Sequence, residues 1–469
     1  SEAKPVSVSR RLGRLQFHKS GKFRVLQLAD VQDGPKISKD TIALITAAIR
    51  DARPDLVVFS GNQIAGYDPA FAATFTKRRW KTAVGAAPKS ADLAHTRELV
   101  RGQIEQMVQP MVDAGVPWAV TYGNHDFQCG LTNAELDGIF REFPLCVNPS
   151  TRAKFGAETW SRALPKERVI ASGEPGTFSM PVCDESGNTV FGIVLVDSGD
   201  YSETGGYGAP SQTALRFLRT VPQWFGEGVE SIVFQHMPLP QYYRVLKPVP
   251  RTTDRSVEGY RNYSGSYFVL DDAKTERGGY LGEGVSCPDL DSGEFDILRD
   301  SHAYFAVAAG HDHRNAFAGE YAGVQMIATP TCGFDSYGPI PERRAARLFE
   351  FDERHPFSPR TQLLQFGELV GKPSSKKAYV YGMSSEAEKR GREPAAQAEH
   401  GEQIVAFRGQ LAVQSLSAEV LRFWCDTCRF GVTMARWPRF AKRWNSNIVM
   451  VMGLWVPSHQ SGLRHTKTM

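Results

Sequence analysis

Short apolar runs alternate with amphipathic stretches from about residue 23 to residue 351. The runs predict buried strands at 23–29, 56–60, 117–121, 191–197, 231–235, 304–309 and 324–328. Between the first two, residues 41–50 place isoleucines on one helical face, and 97–114 predicts a longer helix that Gly115 ends and Pro110 kinks. Strands that alternate with helices indicate an α/β fold, with crossover helices covering both faces of a sheet.

Two other parts of the chain lack this alternation. Residues 241–284 are rich in Tyr, Gly, Arg and Asp and show little periodicity, which predicts a long insertion able to cover a ligand site as a lid. Residues 367–403 are polar and predict a linker. The predicted organisation is therefore an α/β domain over 1–366 with its core at 23–351, then the linker, then a C-terminal extension over 404–469.

The C-terminal extension interleaves basic and aromatic residues over 421–444. This composition would suit weak contact with an anionic surface, and an ordinary packing extension or unstructured tail is the alternative. Cys425 and Cys428 form a single C-x-x-C there, without the second pair that a zinc site needs, so we predict an unreactive pair.

Composition narrows the picture only slightly. The 469 residues carry a formal net charge of +4, which gives no clear sign of nucleic-acid binding. Seven scattered cysteines are a poor disulfide framework and favour a reducing compartment. No apolar run has the length of a signal peptide or a membrane span, so we expect a cytoplasmic protein. Nothing in the pattern indicates an oligomeric state.

Polar blocks follow five of the predicted strands. They are Asp30-Val31-Gln32, Gly61-Asn62-Gln63, Gly123-Asn124-His125-Asp126, Gln235-His236 and Gly310-His311-Asp312-His313. Ligands bind at the carboxyl ends of strands in open α/β sheets, and a lone histidine there is usually structural. Five such blocks in one chain predict a single composite site. Imidazole and carboxylate suit Mn, Fe, Zn or similar ions, so the predicted cofactors are one or two divalent metal ions.

These blocks resemble the calcineurin-like metallophosphoesterase superfamily, whose pattern is D-x-H, G-D, G-N-H-D/E, H and G-H-x-H in this order. The stretches PDLVVFSG, QHMPLPQYY and GHDHRNAFAG are similar to its purple acid phosphatase-like branch in plants, fungi and bacteria. The resemblance implies a four-layer α/β sandwich, in which two mixed sheets lie face to face with helices outside. It also implies a phosphomonoester or phosphodiester substrate.

The resemblance further implies a role for each block. The metal-facing residues would form two sets and a bridge: Asp30, Gln32 and His313; Asn124, His236 and His311; and Asn62 between them. His125 would be the general acid that protonates the leaving oxygen, and Asp126 would orient it. Two ions in such a site clamp the phosphoryl group and activate a water.

Two positions depart from the family pattern. Gln32 stands where the family has histidine, and Asn62 where it has the bridging aspartate. Three hypotheses follow: weak binding of two ions with Asp33 or the phosphate as an extra anion, function with one ion held by Asn124, His236 and His311, or a weakly active or inactive phospho-ligand-binding protein. The retained His125 favours an enzyme.

Three further features have functional and structural interpretations. Tyr242 and Tyr243 follow His236 closely and could touch substrate, with packing as the alternative. Arg347 begins a predicted strand and is expected to be a surface charge. In purple acid phosphatases the tyrosine of G-D-x-x-Y is the metal ligand that gives the colour, and Ala65 occupies that position here.

Overall fold

The computed structural model describes residues 5–80, 87–150 and 152–374. Its α-helices are α1 (Val8–Leu12), α2 (Lys39–Ala52), α3 (Ser90–Ala114), α4 (Asn133–Phe140), α5 (Gln212–Phe225), α6 (Glu294–Asp300) and α7 (Phe366–Leu369). The predicted C-terminal extension, with its 421–444 stretch and C-x-x-C pair, lies outside the described residues, as does the predicted linker from residue 375 onward. Within the described parts, no helix is long and apolar enough to cross a membrane.

The strands are short and spread over the whole described region. They are β1 (Lys22–Leu28), β2 (Leu56–Ser60), β3 (Trp118–Thr121), β4 (Glu158–Trp160), β5 (Arg168–Ala171), β6 (Phe178–Cys183), β7 (Thr189–Val196), β8 (Ser231–Gln235), β9 (Leu246–Val249), β10 (Val257–Glu258), β11 (Tyr267–Leu270), β12 (Tyr304–Ala309), β13 (Phe317–Tyr321), β14 (Val324–Ala328), β15 (Ala345–Asp352) and β16 (His355–Gln365).

Two large mixed sheets contain most of these strands. The first has five strands in the order β16-β15-β1-β2-β3, and the second has eight in the order β13-β14-β12-β8-β7-β6-β5-β4. β1, β2 and β3 are parallel to one another, and so are β7, β8, β12 and β14. The carboxyl ends of parallel strands meet at one edge of their sheet, which is where the five polar blocks begin.

Successive side chains of a strand point to opposite faces of its sheet. Each sheet packs against the other sheet with one face and against helices with the other, which gives four layers. Val25 and Val58 face the second sheet, whereas Leu26 and Val57 face the helices α2 and α3. Across the two sheets, the rings of Phe191 and Phe351 stack with centroids 4.4 Å apart. The outer face of the second sheet packs against α5 and α6. This helix–sheet–sheet–helix arrangement confirms the predicted sandwich.

Local sequence explains where the two long helices begin and end. The Ser38 side chain accepts the N–H of Asp40 at the start of α2. Gly115 ends α3 with φ +64°, a conformation that glycine adopts most readily. α3 begins several residues before the predicted start at 97, because its first turns are largely exposed and give little apolar periodicity. Pro110 lies inside this helix.

The predicted irregular insertion is partly regular. Residues 241–284 contain a three-stranded antiparallel sheet in the order β10-β11-β9. Its packing depends on aromatic side chains, since the rings of Tyr243 and Tyr263 stack 3.6 Å apart and Phe268 lies 5.0 Å from Tyr243. Aromatic packing of this kind leaves no aliphatic period of two, which is why the pattern did not predict strands here.

Arg347 is a buried residue, and its prediction as a surface charge was wrong. Only 4% of it is exposed. Its guanidinium donates to the carbonyl of Ala328 at 2.8 Å and to Thr329 Oγ1 at 3.1 Å. Arg347 belongs to β15 and Ala328 to β14, so this side chain links the two sheets.

Candidate active site

The five polar blocks come together at one edge of the sandwich. Asp30, Asn62 and Asn124 follow β1, β2 and β3, while His236 and His311 follow β8 and β12 of the other sheet. All predicted ligands and His125 are buried, with no more than 7% of any residue exposed. Desolvation of this degree strengthens every electrostatic interaction between them.

Four of these residues have unusual backbone conformations. Asp30, Gln32, Asn62 and His311 adopt φ values of +52°, +41°, +53° and +69°. Non-glycine residues rarely occupy the left-handed region, and such strained positions concentrate at functional sites. The polar blocks also pack closely against one another, because a Cβ added at Gly310 would lie only 2.8 Å from Asp30 Oδ2.

Asp30 is the charged residue at the centre of the group. Its Oδ2 accepts the backbone N–H of His311 at 2.8 Å. Its Oδ1 lies 3.3 Å from Nε2 of His313 and 3.9 Å from Nε2 of His236. Burial acts to raise the pKa of Asp30, but the two imidazoles and the hydrogen bonds outweigh it, so the pKa lies below its ordinary value and the carboxylate is ionised.

Backbone carbonyls fix the tautomers of two histidines. Nδ1 of His236 lies 3.1 Å from the carbonyl oxygen of Ser60, and Nδ1 of His313 lies 2.6 Å from that of Tyr337. A carbonyl only accepts hydrogen bonds, so each Nδ1 carries the hydrogen. Burial lowers the pKa of His236, which keeps that ring neutral. Its Nε2 therefore presents a lone pair to the site.

The amide of Asn62 has only one orientation that its neighbours allow. The backbone N–H of His125, which can only donate, bonds Asn62 Oδ1 at 2.8 Å. The amide nitrogen must therefore face the site, where it donates to Asp30 Oδ1 at 3.2 Å and to Asn124 Oδ1 at 3.1 Å. The expectation that Asn62 would serve as a bridging ligand is corrected by this contact, because an NH₂ group offers no lone pair to a cation.

His125 is oriented by a different residue from the one predicted. Its Nδ1 lies 2.7 Å from Oε1 of Gln128, which accepts the hydrogen. Asp126 instead accepts the backbone N–H groups of Asn62, Ile64 and Gly123 at 2.9, 3.0 and 2.7 Å, so it joins two loops. Burial raises the pKa of Asp126 to about 7, although these hydrogen bonds oppose the shift.

Two tyrosine hydroxyls contact the remaining amides of the site. Gln32 Nε2 donates to the hydroxyl of Tyr67 at 2.8 Å, and Asn124 Nδ2 donates to that of Tyr201 at 2.8 Å. Asn124 Oδ1 lies 3.0 Å from Nε2 of His236. The ring of His311 lies edge-on to Tyr207 with centroids 4.3 Å apart. Tyrosines thus surround the predicted ligands.

Three other predicted contacts lie elsewhere. Both oxygens of Asp33 accept backbone N–H groups, from Asp335 at 2.9 Å and Ser38 at 2.9 Å, and burial raises its pKa to about 6. Tyr242 is fully buried and donates to the carbonyls of Val307 and Ile327. The Tyr243 hydroxyl donates to Val285 in the core under the insertion. Their hydroxyl and carboxylate groups are used in packing and loop anchoring.

Some site residues were not anticipated from the sequence. Gln128 has a local signal, because it lies three residues after His125 in a single helical turn, Asp126–Cys129. Tyr201 has none, since it comes from a loop that is far in the chain from the block containing Asn124.

The donor atoms present fit one cation better than two. Among the described residues, no His, Cys, Asp or Glu side chains form a metal-binding group of three by themselves. Four acceptor atoms converge, with neighbouring pairs 3.0–3.9 Å apart: Asp30 Oδ1, Asn124 Oδ1, His236 Nε2 and His313 Nε2. Ligands of one ion at about 2.1 Å are separated by roughly 3–3.5 Å. The NH₂ of Asn62 excludes a second, bridged ion of the usual kind.

Several known proteins are similar to this chain. Among curated proteins, "Probable inactive purple acid phosphatase 14" of Arabidopsis thaliana is 23% identical over 357 residues, covering 72% of this chain and 77% of its own. "Phosphatase DCR2" of Saccharomyces cerevisiae is 24% identical over 327 residues, covering 65% and 46%. A solved dimetal phosphatase from Danio rerio aligns with 73% of this chain and 99% of its own, at 12% identity and a TM-score of 0.37.

The family assignment rests on the family model and not on the structural match. The model described as calcineurin-like phosphoesterase matches residues 23–315, more than half of the 469 residues. That range includes all five polar blocks. The chain belongs to the calcineurin-like phosphoesterase family.

Proposed function

We propose that this protein binds a phosphate ester with the help of one divalent cation and hydrolyses it with His125 as the general acid. The observation that carries the proposal is that the tautomers of His236 and His313 are fixed, because Nδ1–H of each ring donates to a backbone carbonyl. Histidines whose second nitrogen is held in this way are typical of metal sites. We propose Asp30, Asn124, His236 and His313 as the residues that would hold the ion, with Mn, Fe or Zn as candidates.

The ion would neutralise charge on the phosphate and activate a water molecule. The protein's own residues would do the rest. Burial lowers the pKa of His125 to about 3 in the ligand-free protein, so the ring is neutral there. A bound phosphate ester would add negative charge next to the ring and favour its protonated form. Gln128 accepts the hydrogen on Nδ1, which leaves Nε2 to protonate the leaving oxygen.

A second candidate function is binding of a phosphorylated ligand without turnover. The orientation of Asn62 favours it, since the inward NH₂ cannot bind a cation and both of its hydrogens are used in bonds to Asp30 and Asn124. Removal of the bridging carboxylate also removes an anion that would offset the repulsion between two ions. On this basis we expect turnover to be slow if it occurs. The cytoplasmic location and the class of ester stay predictions.

One experiment separates these functions. The full chain, freed of metal, is titrated with Mn²⁺ by calorimetry and then assayed with p-nitrophenyl phosphate and bis-p-nitrophenyl phosphate. One ion per chain, together with hydrolysis of either ester that depends on Mn²⁺, supports the enzyme. Binding of inorganic phosphate with no hydrolysis above the protein-free rate supports the second candidate. Failure to bind either Mn²⁺ or phosphate rejects both.

A further inference from the structure

Two of the three amides in the site each donate an N–H to a tyrosine hydroxyl. Gln32 bonds Tyr67 and Asn124 bonds Tyr201, both at 2.8 Å. The tyrosines come from loops after β2 and β7 and lie beside His125, with ring centroids 4.8 and 6.4 Å from its imidazole. Each of these amides therefore bonds a tyrosine from a different loop.

For Asn124, the orientation follows from a chain of unambiguous donors. The backbone N–H of His125 bonds Asn62 Oδ1, so Asn62 Nδ2 is the donor to Asn124 Oδ1. The Nδ2 of Asn124 is then left for Tyr201. The carbonyl oxygen of Asn124 consequently lies 3.0 Å from Nε2 of His236. Neither atom carries a hydrogen, so two lone pairs face each other. That contact is favourable only with a cation or a proton between the atoms.

For Gln32, the amide oxygen carries the signal. Gln32 is 1% exposed, and its Oε1 is buried without a hydrogen-bond partner. Buried polar atoms are nearly always paired, and an exception points to an ion or a water. In the structure the amide nitrogen bonds Tyr67, and the oxygen is the atom that could serve as a ligand.

The positions of the tyrosines are themselves restrained. The guanidinium of Arg78 lies 3.5 Å from the ring centre of Tyr201, and the ring of Tyr207 stacks on the same residue at 5.8 Å. Next to Tyr201, Asp200 forms an ion pair of 2.7 Å with Arg79. A hydroxyl held in this way restrains the position of the amide that bonds it.

We propose that Tyr67 and Tyr201 are positioning residues, which hold the amides of Gln32 and Asn124 in place so that their carbonyl oxygens can bind the cation. This inference rests on the proposed function. It also defines the cation class, because Gln32 and Asn124 add two neutral oxygens to the carboxylate of Asp30. Mn²⁺ prefers oxygen ligands, so this set suits it better than the family's set, which has a histidine at position 32.

The test measures Mn²⁺ affinity of the metal-free full chain by calorimetry, without any assay of activity. Tyr67→Phe and Tyr201→Phe keep the rings and remove only the hydroxyls. Each should weaken Mn²⁺ binding by roughly 10–100-fold, the usual effect of losing a group that orients a ligand. Tyr267→Phe is the matched control, since its hydroxyl bonds Glu258 in the small sheet and should leave the affinity unchanged.

A double variant separates positioning from a general structural effect. In Gln32→His the amide is gone, so adding Tyr67→Phe to it should change Mn²⁺ affinity by less than threefold, whereas the same change in the natural protein has its full effect. Equal losses in both backgrounds would overturn the role of Tyr67. Natural protein that binds Mn²⁺, with both Tyr→Phe variants binding equally well, rejects the inference alone. Natural protein that binds no Mn²⁺ rejects the proposed enzyme together with the inference.

Discussion

The backbone N–H of His125 donates a 2.8 Å hydrogen bond to Asn62 Oδ1, and this contact turns the Asn62 NH₂ toward Asp30 and Asn124. In the family pattern an aspartate occupies this position. An aspartate could accept the same N–H with one oxygen and bridge two ions with the other. The asparagine keeps the contact with the His125 N–H. Its NH₂ group donates hydrogen bonds to Asp30 and Asn124 instead of bridging two ions, so the site residues are hydrogen-bonded to one another.

Asn62→Asp should therefore change the metal stoichiometry. One carboxylate oxygen would keep the His125 contact, and the other would face the site with a negative charge. We expect metal affinity to rise by roughly tenfold or more, equivalent to about 1.4 kcal/mol, and the ion content to move from one toward two per chain. The measurement is metal content by mass spectrometry after dialysis against Mn²⁺.

Gln63→Glu is the control for Asn62→Asp. It adds the same charge one residue later, but the Gln63 side chain bonds the carbonyl of Thr121 and not the predicted ligands. It should not raise the ion content. An Asn62→Asp protein with unchanged metal content would show that position 62 does not face a metal.

His125→Ala should lower turnover of esters with poor leaving groups by roughly 10²–10⁴-fold, because these need a proton from the protein. Activated aryl esters should lose less. Gln128→Ala should change the dependence of turnover on the leaving group in the same direction but by less, because the Gln128 side chain orients the His125 ring. The measurement is the slope of log kcat/KM against leaving-group pKa.

Metal content distinguishes the proton donor from a ligand. It should be unchanged in His125→Ala, and His355→Ala, at an exposed position in β16, should match the natural protein in every assay. Loss of bound metal in His125→Ala would contradict the role of general acid.

Iron-loaded protein should lack a strong visible charge-transfer band. The position of the purple acid phosphatase tyrosine holds Ala65, which is buried and has no donor atom. The nearby Tyr67 hydroxyl accepts a hydrogen bond from Gln32. The measurement is the visible absorption spectrum after loading with iron. A strong band that disappears in Tyr67→Phe would identify Tyr67 as a direct ligand instead.

Arg347→Met should destabilise the fold without affecting phosphate binding. It leaves the carbonyl of Ala328 without its 2.8 Å donor between the two sheets. An unpaired buried acceptor costs roughly 1–3 kcal/mol, which urea unfolding can measure. Arg343→Met changes an exposed side chain nearby and should stay within about 0.5 kcal/mol of the natural protein. Equal stability of both variants would mean that the inter-sheet contact contributes nothing.

The sequence by itself determined several strands of the two sheets and the sheet edge at which the five polar blocks meet. Apolar runs predicted the strands 56–60, 231–235, 304–309 and 324–328 with the bounds that the structure has, because a fully buried strand must be continuously apolar. The polar blocks after three of these strands, and after 23–29 and 117–121, predicted a composite site, because the carboxyl ends of parallel strands lie at one edge of a sheet. Those features depend on local order along the chain, which the sequence records.

Only the tertiary structure decided how the side chains in the site are paired. Asn62 and Gln32 are each an oxygen and a nitrogen on one carbon, and nothing in the sequence says which atom faces inward. For Asn62 that choice depends on the backbone N–H of His125, a partner far away in the chain. The amide nitrogen of Gln32 bonds the Tyr67 hydroxyl, which is also distant in the chain. The same holds for Tyr242, whose hydroxyl finds two backbone carbonyls in the core. Hydrogen bonds between distant segments are set by the packing of the two sheets, so only the folded chain reveals them.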